Sequence, residues 1–483
     1  MVRTLFEPRE SNILDSSALV LSFPAPRTVT GEDVLELHVH GGSATVKAVL
    51  SAIKTCSSGS VIRYAEPGEF TKRAFLNDRL DLAQVESLSD TLAAETEGQR
   101  RAAVRGNSGT LGKTYEAWRQ QLLLARAEIE ALIDFSEDQH FDESPAELLG
   151  NVKTLVEGIL HSIHLHEMGS QRSELLRNGI RIALLGPPNV GKSSLMNLIV
   201  GREASIVSHE AGTTRDIVEA SLDIRGFLCS FADTAGFRSR GTQPPPGSEP
   251  QAAHHVIGAV EEEGIRRAKQ KALDSDIIIA LTSIETTEDG RRRINYDAET
   301  LQLASTAQQC LIVVNKRDAA DEKEFRLLVE DFKSSALRSI PGLETAAPLA
   351  ISCREAEAEA SAAATVGLND PGGIHGLISQ LVHSFSAMTT VPADMQDLLG
   401  VTERQRQLLV ECRLYLGRFM EEANVAADDG GDPDIVLAAE HLRLAANCLA
   451  RITGRGESGD VEEVLGVIFE KYYPLARFAH IAN

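Results

Sequence analysis

Apolar residues recur with two different spacings along the chain, and these spacings divide it into zones. Short apolar runs between Gly and Pro turns, such as residues 18–23 and 34–39, predict strands in an α+β module that ends near residue 87. From about residue 88 to 178 the spacing becomes three to four. Between Tyr115 and Leu132 this places the apolar side chains on one face of a helix. A helical pattern returns after about residue 386.

The zone between the helical patterns alternates β-rich runs with helical stretches. The runs are residues 180–186, 277–281, 310–315 and 349–352. Such alternation is typical of a parallel sheet wrapped by helices. We therefore predict an α/β domain at residues 179–385, inserted into a helical domain at 88–178 and 386–483. The α+β module at 1–87 precedes both.

Local signals refine this outline at three places. Asp432 and Pro433 suit the N-cap and first turn of a C-terminal helix that Gly454 would end. Residues 240–251, rich in Pro and Gly, and residues 355–365, rich in Ala and Glu, are predicted to be surface loops.

Charge and cysteine content limit the classes of function. The formal net charge is −22, so the surface as a whole repels phosphate backbones, and a partner is expected to hold most of any RNA substrate. The chain has six scattered cysteines without a CxxC pair, which favours a reducing compartment. No apolar run reaches the length needed to span a bilayer.

Residues 186–193 read GPPNVGKS and stand between a β-like run and a predicted helix. In such a loop the glycines let backbone N–H groups surround phosphates. Lys192 would neutralise the β- and γ-phosphates, and the Ser193 hydroxyl would bind Mg²⁺. The alternative, a chance match in a Gly-rich turn, is disfavoured by the flanking strand and helix.

Two further segments suit the phosphate end of a nucleotide. Asp233, Thr234, Ala235 and Gly236 follow a β-like run, where the aspartate can support the magnesium shell and the Gly236 N–H can sense the γ-phosphate. The segment 212–216, GTTRD, resembles a switch that closes over that phosphate, although a solvated turn is the alternative.

The base end of the nucleotide is indicated by two more strand ends. Asn315, Lys316 and Asp318 follow the apolar run 311–314, and Asp318 can accept both guanine N1–H and N2–H. Adenine lacks that donor pair and would leave the carboxylate unsatisfied. Ser352 and Cys353 fit the loop behind the base. Together the motifs predict a P-loop GTPase.

Beyond these loops, the chain resembles the tRNA-modification GTPases known as MnmE or TrmE, whose eukaryotic members work in mitochondria. The most specific strings are TGEDVLELHVHGG at residues 30–42 and PGEFTKRAFLNDRLDL at 67–82. The match continues through GTTRD to LRLAA at 442–446 and ITG at 452–454. The resemblance covers nearly the whole chain and implies a mitochondrial location.

The resemblance implies a folate-binding and dimerising N-terminal domain, a helical domain and an inserted GTPase domain. It also implies a homodimer that works with a flavin- and NADH-using partner subunit. With a tetrahydrofolate derivative as one-carbon donor, the complex would install an aminomethyl-type group at C5 of the wobble uridine of certain tRNAs. A GTPase switch without modification chemistry is the alternative.

Site residues follow from the same resemblance. Potassium would take the place of an arginine finger when two GTPase domains meet, bound by Asn189, Ser208, Glu210 and Thr213, while Ser193 and Thr214 would bind Mg²⁺. GTP contacts are expected from Asn189, Val190, Gly191, Lys192, Ser193, Ser194, Thr213, Thr214, Asp233, Thr234, Ala235, Gly236, Asn315, Lys316, Asp318, Ser352 and Cys353.

Two roles rest on single side chains. Glu261 is expected to position the attacking water, with Glu262 and Glu263 as alternatives, and a solvated acidic helix start is about as plausible for each. Glu36 and Arg79 are expected to bind the pterin ring, although Glu36 on a solvent-facing strand is the alternative.

The two ends of the chain depart from the family pattern. The family's Gly-rich start and its Phe-Cys-Ile-Gly-Lys ending, with a cysteine tied to the modification chemistry, are not seen here. The expectation is that the sequence is incomplete at both ends, with a real loss of these segments and of their function as the alternative. Cys448 falls within a predicted helix and is interpreted as a core residue.

Overall fold

The computed structural model of the chain describes residues 1–8, 10–56, 62–134, 145–202, 204–208, 221–232, 270, 273–287, 289–361, 370, 372–428 and 434–455. It divides into two structural units. Unit 1 comprises Met1–Ala93, Ala103–Ser170 and Ala393–Asn483, and unit 2 comprises Ala94–Ala102 and Gln171–Pro392. The division agrees with an α/β segment inserted into a helical one, while the predicted domain limits themselves stay predictions.

Unit 1 begins with a three-stranded antiparallel sheet. Strands β1 (Val2–Phe6), β2 (Ile13–Phe23) and β3 (Val34–His38) lie in that order, and helices α1 (Ser43–Thr55) and α2 (Glu69–Leu76) follow. Asp15 is buried in β2 and accepts hydrogen bonds from the backbone N–H groups of Ser17 and His40, which hold the pKa of its carboxyl below the usual range. The predicted α+β character of this module is confirmed.

The remainder of unit 1 is helical. Its elements are α3 (Leu82–Ala93), α4 (Glu97–Gly106), α5 (Thr110–Asp134), α6 (Pro145–Asn178), a 3₁₀ helix (Ala393–Gly400), α12 (Glu403–Asp428) and α13 (Ile435–Thr453), of which α4 and α6 also give residues to unit 2. The core holds Tyr115 and Leu122 of α5, Phe419 of α12 and Leu449 of α13. As predicted, the apolar face of α5 is buried. No helix among these described residues is long and apolar enough to cross a membrane.

Helix α13 starts two residues later than its sequence signals predict. The N-cap is Asp434, whose carboxylate accepts the Leu437 N–H at 3.0 Å. Asp432 and Pro433 lie outside the described residues. Asp434 can take the N-cap position because it is also an aspartate. It lies three residues before a first-turn N–H group that its carboxylate can accept. The predicted end is confirmed, since Gly454 adopts φ 75° at the C-cap.

One ion pair connects three helices of unit 1. Glu86 of α3 binds the Arg404 guanidinium and accepts hydrogen bonds from Thr402 Oγ1 at 3.1 Å and Gln405 Nε2 at 2.7 Å. Arg404 in turn donates to the carbonyls of Arg451 and Ile452 at the end of α13, at 3.0 and 3.1 Å. The Glu86 side chain is 10% exposed, so these partners replace the water that its carboxylate loses on burial.

Unit 2 is built on a mixed sheet. Strands β4 (Ile180–Leu185), β5 (Ala204–Ser208), β6 (Ser221–Ile224), β7 (Phe227–Ala232), β8 (Ile277–Thr286), β10 (Gln309–Asn315) and β11 (Leu349–Ala350) take the order β11-β10-β8-β4-β7-β6-β5, and β9 (Arg292–Asn295) pairs with β8. Pairing is parallel from β11 to β7 and antiparallel beyond. The predicted parallel sheet is thus confirmed, with an antiparallel extension that the pattern did not indicate.

Helices cover both faces of this sheet. They are α7 (Lys192–Arg202), α8 (Ala298–Ala304), α9 (Glu322–Ser335), α10 (Cys353–Ser361) and α11 (Ile374–Thr389). Ile182 and Ile279 point into one apolar core, while Ala183 and Ile278 point into the other, as expected for strands buried on both faces. A loop was predicted wrongly at residues 355–361. Ala and Glu are good helix formers, and Ser352 caps the helix there.

The sheet register brings the candidate nucleotide loops to one edge. Leu185 lies opposite Ala280, Asn315 lies opposite Ser283, and Val314 lies opposite Ala350. Because these strands are parallel, the loops that follow β4, β10 and β11 leave the sheet on the same side.

Glu86→Ala should destabilise the chain by about 3 kcal/mol, because the largely buried Arg404 guanidinium then lacks its carboxylate partner. Urea unfolding followed by circular dichroism measures this. The control is Glu403→Ala, which removes a half-exposed ion pair with Arg406 and should cost about 0.5 kcal/mol or less. Equal losses in the two variants would contradict the role given to Glu86.

Candidate nucleotide-binding site

The loop from Gly186 to Gly191 turns sharply between β4 and α7. Gly186 has φ 154° and Gly191 has φ 100°, while Asn189 is left-handed at φ 62°. A methyl group on Gly186 would lie 2.1 Å from the Leu281 carbonyl oxygen, so only glycine fits against β8. Val190 is fully buried and anchors the loop in the core, whereas Asn189 is exposed at its tip.

The loop surrounds the ammonium group of Lys192. Its Nζ donates to the carbonyl oxygens of Gly186 at 2.7 Å and Pro187 at 2.8 Å. Burial lowers the pKa of Lys192, because the two carbonyl oxygens only partly replace the water that the ammonium group loses. An anionic group beside it would compensate for the rest. The position is therefore suited to a phosphate.

Ser193 and Ser194 stand in the first turn of α7 and follow Lys192 directly. Ser193 is exposed and Ser194 is half-buried. The N–H groups of a helix's first turn have no partner within the helix and carry partial positive charge. The two serines thus place hydroxyl groups next to a helix N-terminus that favours anions.

Asn315 connects two of the loops. Its Nδ2 donates to the carbonyl oxygen of Val190 at 2.7 Å, and its Oδ1 accepts the Cys353 N–H at 3.1 Å. A methyl group on Gly191 would lie 2.3 Å from that Nδ2. One buried carboxamide therefore joins the phosphate loop to the loop after β11.

Asp318 and Ser352 form the other end of the site. The Ser352 hydroxyl donates to Asp318 Oδ1 at 2.7 Å and accepts the Glu355 N–H at 3.1 Å. Asp318 Oδ2 lies 3.8 Å from the Arg354 guanidinium, which is 89% exposed. The serine thus orients the carboxylate, and within the described residues Asp318 Oδ2 faces this solvated arginine.

Lys316 and Cys353 are the remaining residues of these two loops. Lys316 is left-handed at φ 61°, and its Nζ lies 3.6 Å from Glu285 Oε1. Burial raises the pKa of the Cys353 thiol to about 11, so the thiol is neutral and acts as packing behind Asn315.

Several predicted site residues cannot be placed. Thr213, Thr214, Glu210, Asp233, Thr234, Ala235, Gly236, Glu261, Glu262 and Glu263 lie outside the described residues. So does the predicted loop at 240–251. The backbone of Ser208 ends β5, and its side chain is not described.

The two residues expected to bind a pterin both lie in unit 1. Glu36 is on β3, where its Oε2 is 2.9 Å from His38 Nε2 and its side chain is 43% exposed. Arg79 follows α2, and its Nε donates to the Thr28 carbonyl at 2.9 Å. Glu36 and Arg79 thus contact different residues. Their joint role in binding a pterin ring stays a prediction.

Comparison with known proteins identifies the family. The model for the GTP-binding protein TrmE N-terminus matches residues 1–79, and that for the MnmE helical domain matches 82–472. The tRNA modification GTPase MnmE of Parvibaculum lavamentivorans is 38% identical over 97% of this chain and 88% of its own. The chain belongs to the MnmE/TrmE family of GTPases.

Eukaryotic members of the MnmE/TrmE family match about as well. The human mitochondrial protein named 5-taurinomethyluridine-tRNA synthase subunit GTPB3 is 36% identical over 98% of this chain and 83% of its own. The yeast mitochondrial tRNA modification GTPase MSS1 is 34% identical over 96% and 81%. The G domain of the T. maritima FeoB iron transporter, a solved structure, is 16% identical over 43% of this chain and 98% of its own, with a TM-score of 0.23. So low a score supports no functional conclusion.

Three contacts of this MnmE/TrmE member were not predicted from the sequence. The motif containing Asn315 gives its position after a strand, but not its bonds to Val190 and Cys353. The close approach of Gly186 to Leu281 was also missed, because β8 carries no motif there. The signal available was the pair of glycines themselves, which mark close backbone contact.

Asn315→Ala should weaken guanine-nucleotide binding at least about tenfold, because the buried Cys353 N–H and Val190 carbonyl each lose a partner worth about 1 kcal/mol or more. Titration with a fluorescent GDP analogue measures the affinity. Asn12→Ala, an exposed change in the N-terminal sheet, is the control and should bind like the unaltered chain. Unchanged affinity in Asn315→Ala would show that the bridge is dispensable.

Proposed function

We propose that this protein hydrolyses GTP and uses the reaction to drive modification at C5 of the wobble uridine of tRNA. The observation that carries the proposal is the meeting of the phosphate loop, Asn315 and Asp318 at one edge of the sheet in a member of a GTPase family. The relatives' names supply the tRNA part, since they refer to tRNA modification.

Guanine selection is assigned to Asp318. Ser352 holds Oδ1, which fixes the plane of the carboxylate, and Oδ2 faces a mostly exposed arginine. Guanine presents N1–H and N2–H to such a carboxylate, whereas adenine would leave it unpaired. Thr234, Ala235 and Gly236 are proposed to meet the γ-phosphate together with Thr213 and Thr214.

The donor chemistry of the loops fits the two cations. Ser193 offers an exposed hydroxyl oxygen to Mg²⁺, a cation that prefers oxygen ligands, and Asn189 offers a carboxamide oxygen to K⁺ from the loop tip. Thr214 is proposed to join Ser193, and Ser208, Glu210 and Thr213 to join Asn189. When bound, the two cations supply positive charge beside the transferring phosphoryl group. Lys192 binds the phosphates, and Glu261 orients the attacking water.

The tRNA chemistry is proposed for a larger assembly. A net charge of −22 disfavours autonomous RNA binding, so a homodimer with a flavin- and NADH-using partner subunit is proposed to hold the tRNA. The name of the human relative describes it as a subunit of a synthase. Two relatives are named as mitochondrial, and a mitochondrial location is proposed.

A tetrahydrofolate derivative is proposed as the one-carbon donor. Glu36 keeps a partly exposed carboxylate on β3, which can accept two N–H bonds from a pterin ring. Arg79 is anchored through its Nε, and in the described part of the chain its other guanidinium N–H groups make no hydrogen bond, so they can donate to a ligand. We assign this site to a domain at 1–87 and propose a helical domain at 88–178 and 386–483 and a GTPase domain at 179–385.

GTP turnover should be at least about tenfold faster in KCl than in NaCl of equal ionic strength, because a correctly sized cation lowers the barrier by about 1.4 kcal/mol or more. Asn189→Gly should abolish that difference. Glycine keeps the left-handed backbone at φ 62° and removes only the carboxamide. Phosphate release measured in both salts tests this, and equal rates for the unaltered chain would refute the role of Asn189.

Full modification activity has its own test. The chain, its flavin-dependent partner, GTP, a tetrahydrofolate one-carbon donor and unmodified tRNA should together yield a C5-modified wobble uridine, detected by mass spectrometry of nucleosides. Lys192→Ala should abolish the product, because the phosphate loop loses its only lysine. Normal GTP turnover without any product would support a regulatory switch instead.

A further inference from the structure

The first turn of helix α4 packs with unit 2, far from the rest of that unit in sequence. Ala94–Ala102 belongs to unit 2, whose other residues begin at Gln171. The segment contains none of the candidate nucleotide or pterin residues. Its contacts within unit 2 therefore need an explanation of their own.

Gln99 connects the start of α4 to the end of α6. Its Oε1 accepts the N–H groups of Glu95 at 2.9 Å and Thr96 at 3.0 Å, so the side chain caps its own helix. Its Nε2 donates to the Arg177 carbonyl, in the last turn of α6, at 2.9 Å. One carboxamide thus holds the first turn of α4 in a defined place.

Gly98 brings this turn into contact with the hairpin formed by β6 and β7. The Gly98 N–H donates to the Gly226 carbonyl at 2.9 Å. A first-turn N–H has no partner in its own helix and carries partial positive charge, which suits a carbonyl oxygen. A methyl group on Gly98 would lie 2.7 Å from the same oxygen, so only glycine allows the contact.

The turn of the hairpin has a well-defined shape. Ile224 pairs with Phe227, and the two residues between them, Arg225 and Gly226, are left-handed at φ 49° and 91°. Asp223 Oδ1 accepts the Gly226 N–H at 2.6 Å. Gly226 is therefore bound by Asp223 through its N–H and by Gly98 through its carbonyl.

Strand β7 connects this turn to the edge of the sheet from which the phosphate loop leaves. It runs parallel to β4, and Ala232 at its end lies opposite Ala183. The strand from Phe227 to Ala232 spans about 17 Å. The next residue in the chain is Asp233, which is expected to support the magnesium shell and lies outside the described residues.

Strand β6 connects the same turn to the other predicted phosphate segment. It begins at Ser221, shortly after the GTTRD segment at 212–216. Leu222 and Ile224 of β6 and Cys229 of β7 are fully buried. Because closely packed strands do not deform independently, a displacement of the turn changes the position of both strand ends.

We propose that the first turn of α4 positions the phosphate segments for GTP hydrolysis. By binding the Gly226 carbonyl, Gly98 fixes the β6–β7 hairpin, and the hairpin fixes the points at which the chain continues toward Thr214 and Asp233. Gly98 and Gln99 are thus positioning residues that act through the hairpin. The inference rests on the proposed GTP hydrolysis and does not depend on the tRNA chemistry.

Gly98→Ala in the full chain is the main test. The added methyl group displaces the Gly226 carbonyl, and kcat for GTP should fall at least about tenfold, since a misplacement of about 1 Å remote from the reacting atoms can cost about 100-fold. Affinity for a fluorescent GDP analogue should change by less than about twofold, because the described contacts of Lys192, Asn315 and Asp318 do not involve the hairpin turn. Phosphate release and nucleotide titration measure the two quantities.

Two further variants separate positioning from general stability. Gly201→Ala makes the same change in helix α7, where the added methyl group meets nothing within 4 Å, and should keep the normal kcat. Gln99→Glu keeps the oxygen that caps α4 and loses the donor to the Arg177 carbonyl, so kcat should fall at least about threefold.

Hydrogen exchange of residues 221–232 gives a readout that needs no turnover. These amides should exchange at least about threefold faster in Gly98→Ala than in Gly201→Ala, because the hairpin has lost its contact with α4. A lower kcat with unchanged GDP affinity and faster exchange supports the proposal.

Three results would contradict it. Equal kcat in Gly98→Ala and Gly201→Ala, or equal exchange in the two, would overturn the positioning role. A parallel loss of kcat and GDP affinity would show that α4 only stabilises the fold. Absence of turnover in the unaltered chain would refute the proposed GTP hydrolysis itself, and the two failures are thus distinguishable.

Discussion

The nucleotide site depends on one buried carboxamide. Asn315 donates to the Val190 carbonyl and accepts the Cys353 N–H, and both partners are buried backbone groups that must be satisfied. Asn315 ends strand β10, which fixes the position of its carboxamide. The phosphate loop and the loop after β11 are therefore both held by the same side chain. A single side chain thereby links the two loops that are proposed to hold the two ends of the nucleotide.

The other contacts of the site follow from that constraint. With Val190 held, Gly191 must pass close to Asn315, and Lys192 turns back onto the carbonyls of its own loop. With Cys353 held, Ser352 both caps α10 and orients Asp318. The loops proposed to recognise phosphate and base are therefore parts of one hydrogen-bonded network, which is expected to lose function as a unit.

The sequence predicted the structure correctly where neighbouring residues determine it. Strand-loop-helix order predicted the parallel sheet and the position of Lys192, and Gly454 marked the end of α13 correctly. It failed where two signals competed. Asp434 rather than Asp432 caps α13, and residues 355–361 are helical because Ser352 provides a cap that composition alone does not reveal. Neither the antiparallel strands β5 and β6 nor the contact of Asn315 with Val190, 125 residues away, could be predicted, since both depend on tertiary neighbours.

The core shared by α5 and α13 also bears on the order in which the chain can fold during synthesis. The core of unit 1 joins helix α5, near the beginning, to α13, near the end of the described chain. During synthesis α5 therefore lacks its core partner α13 until some 300 intervening residues have been made. Unit 2 is nearly contiguous in sequence and can fold first. The helices of unit 1 that precede unit 2 are thus among the last of the described segments to be buried.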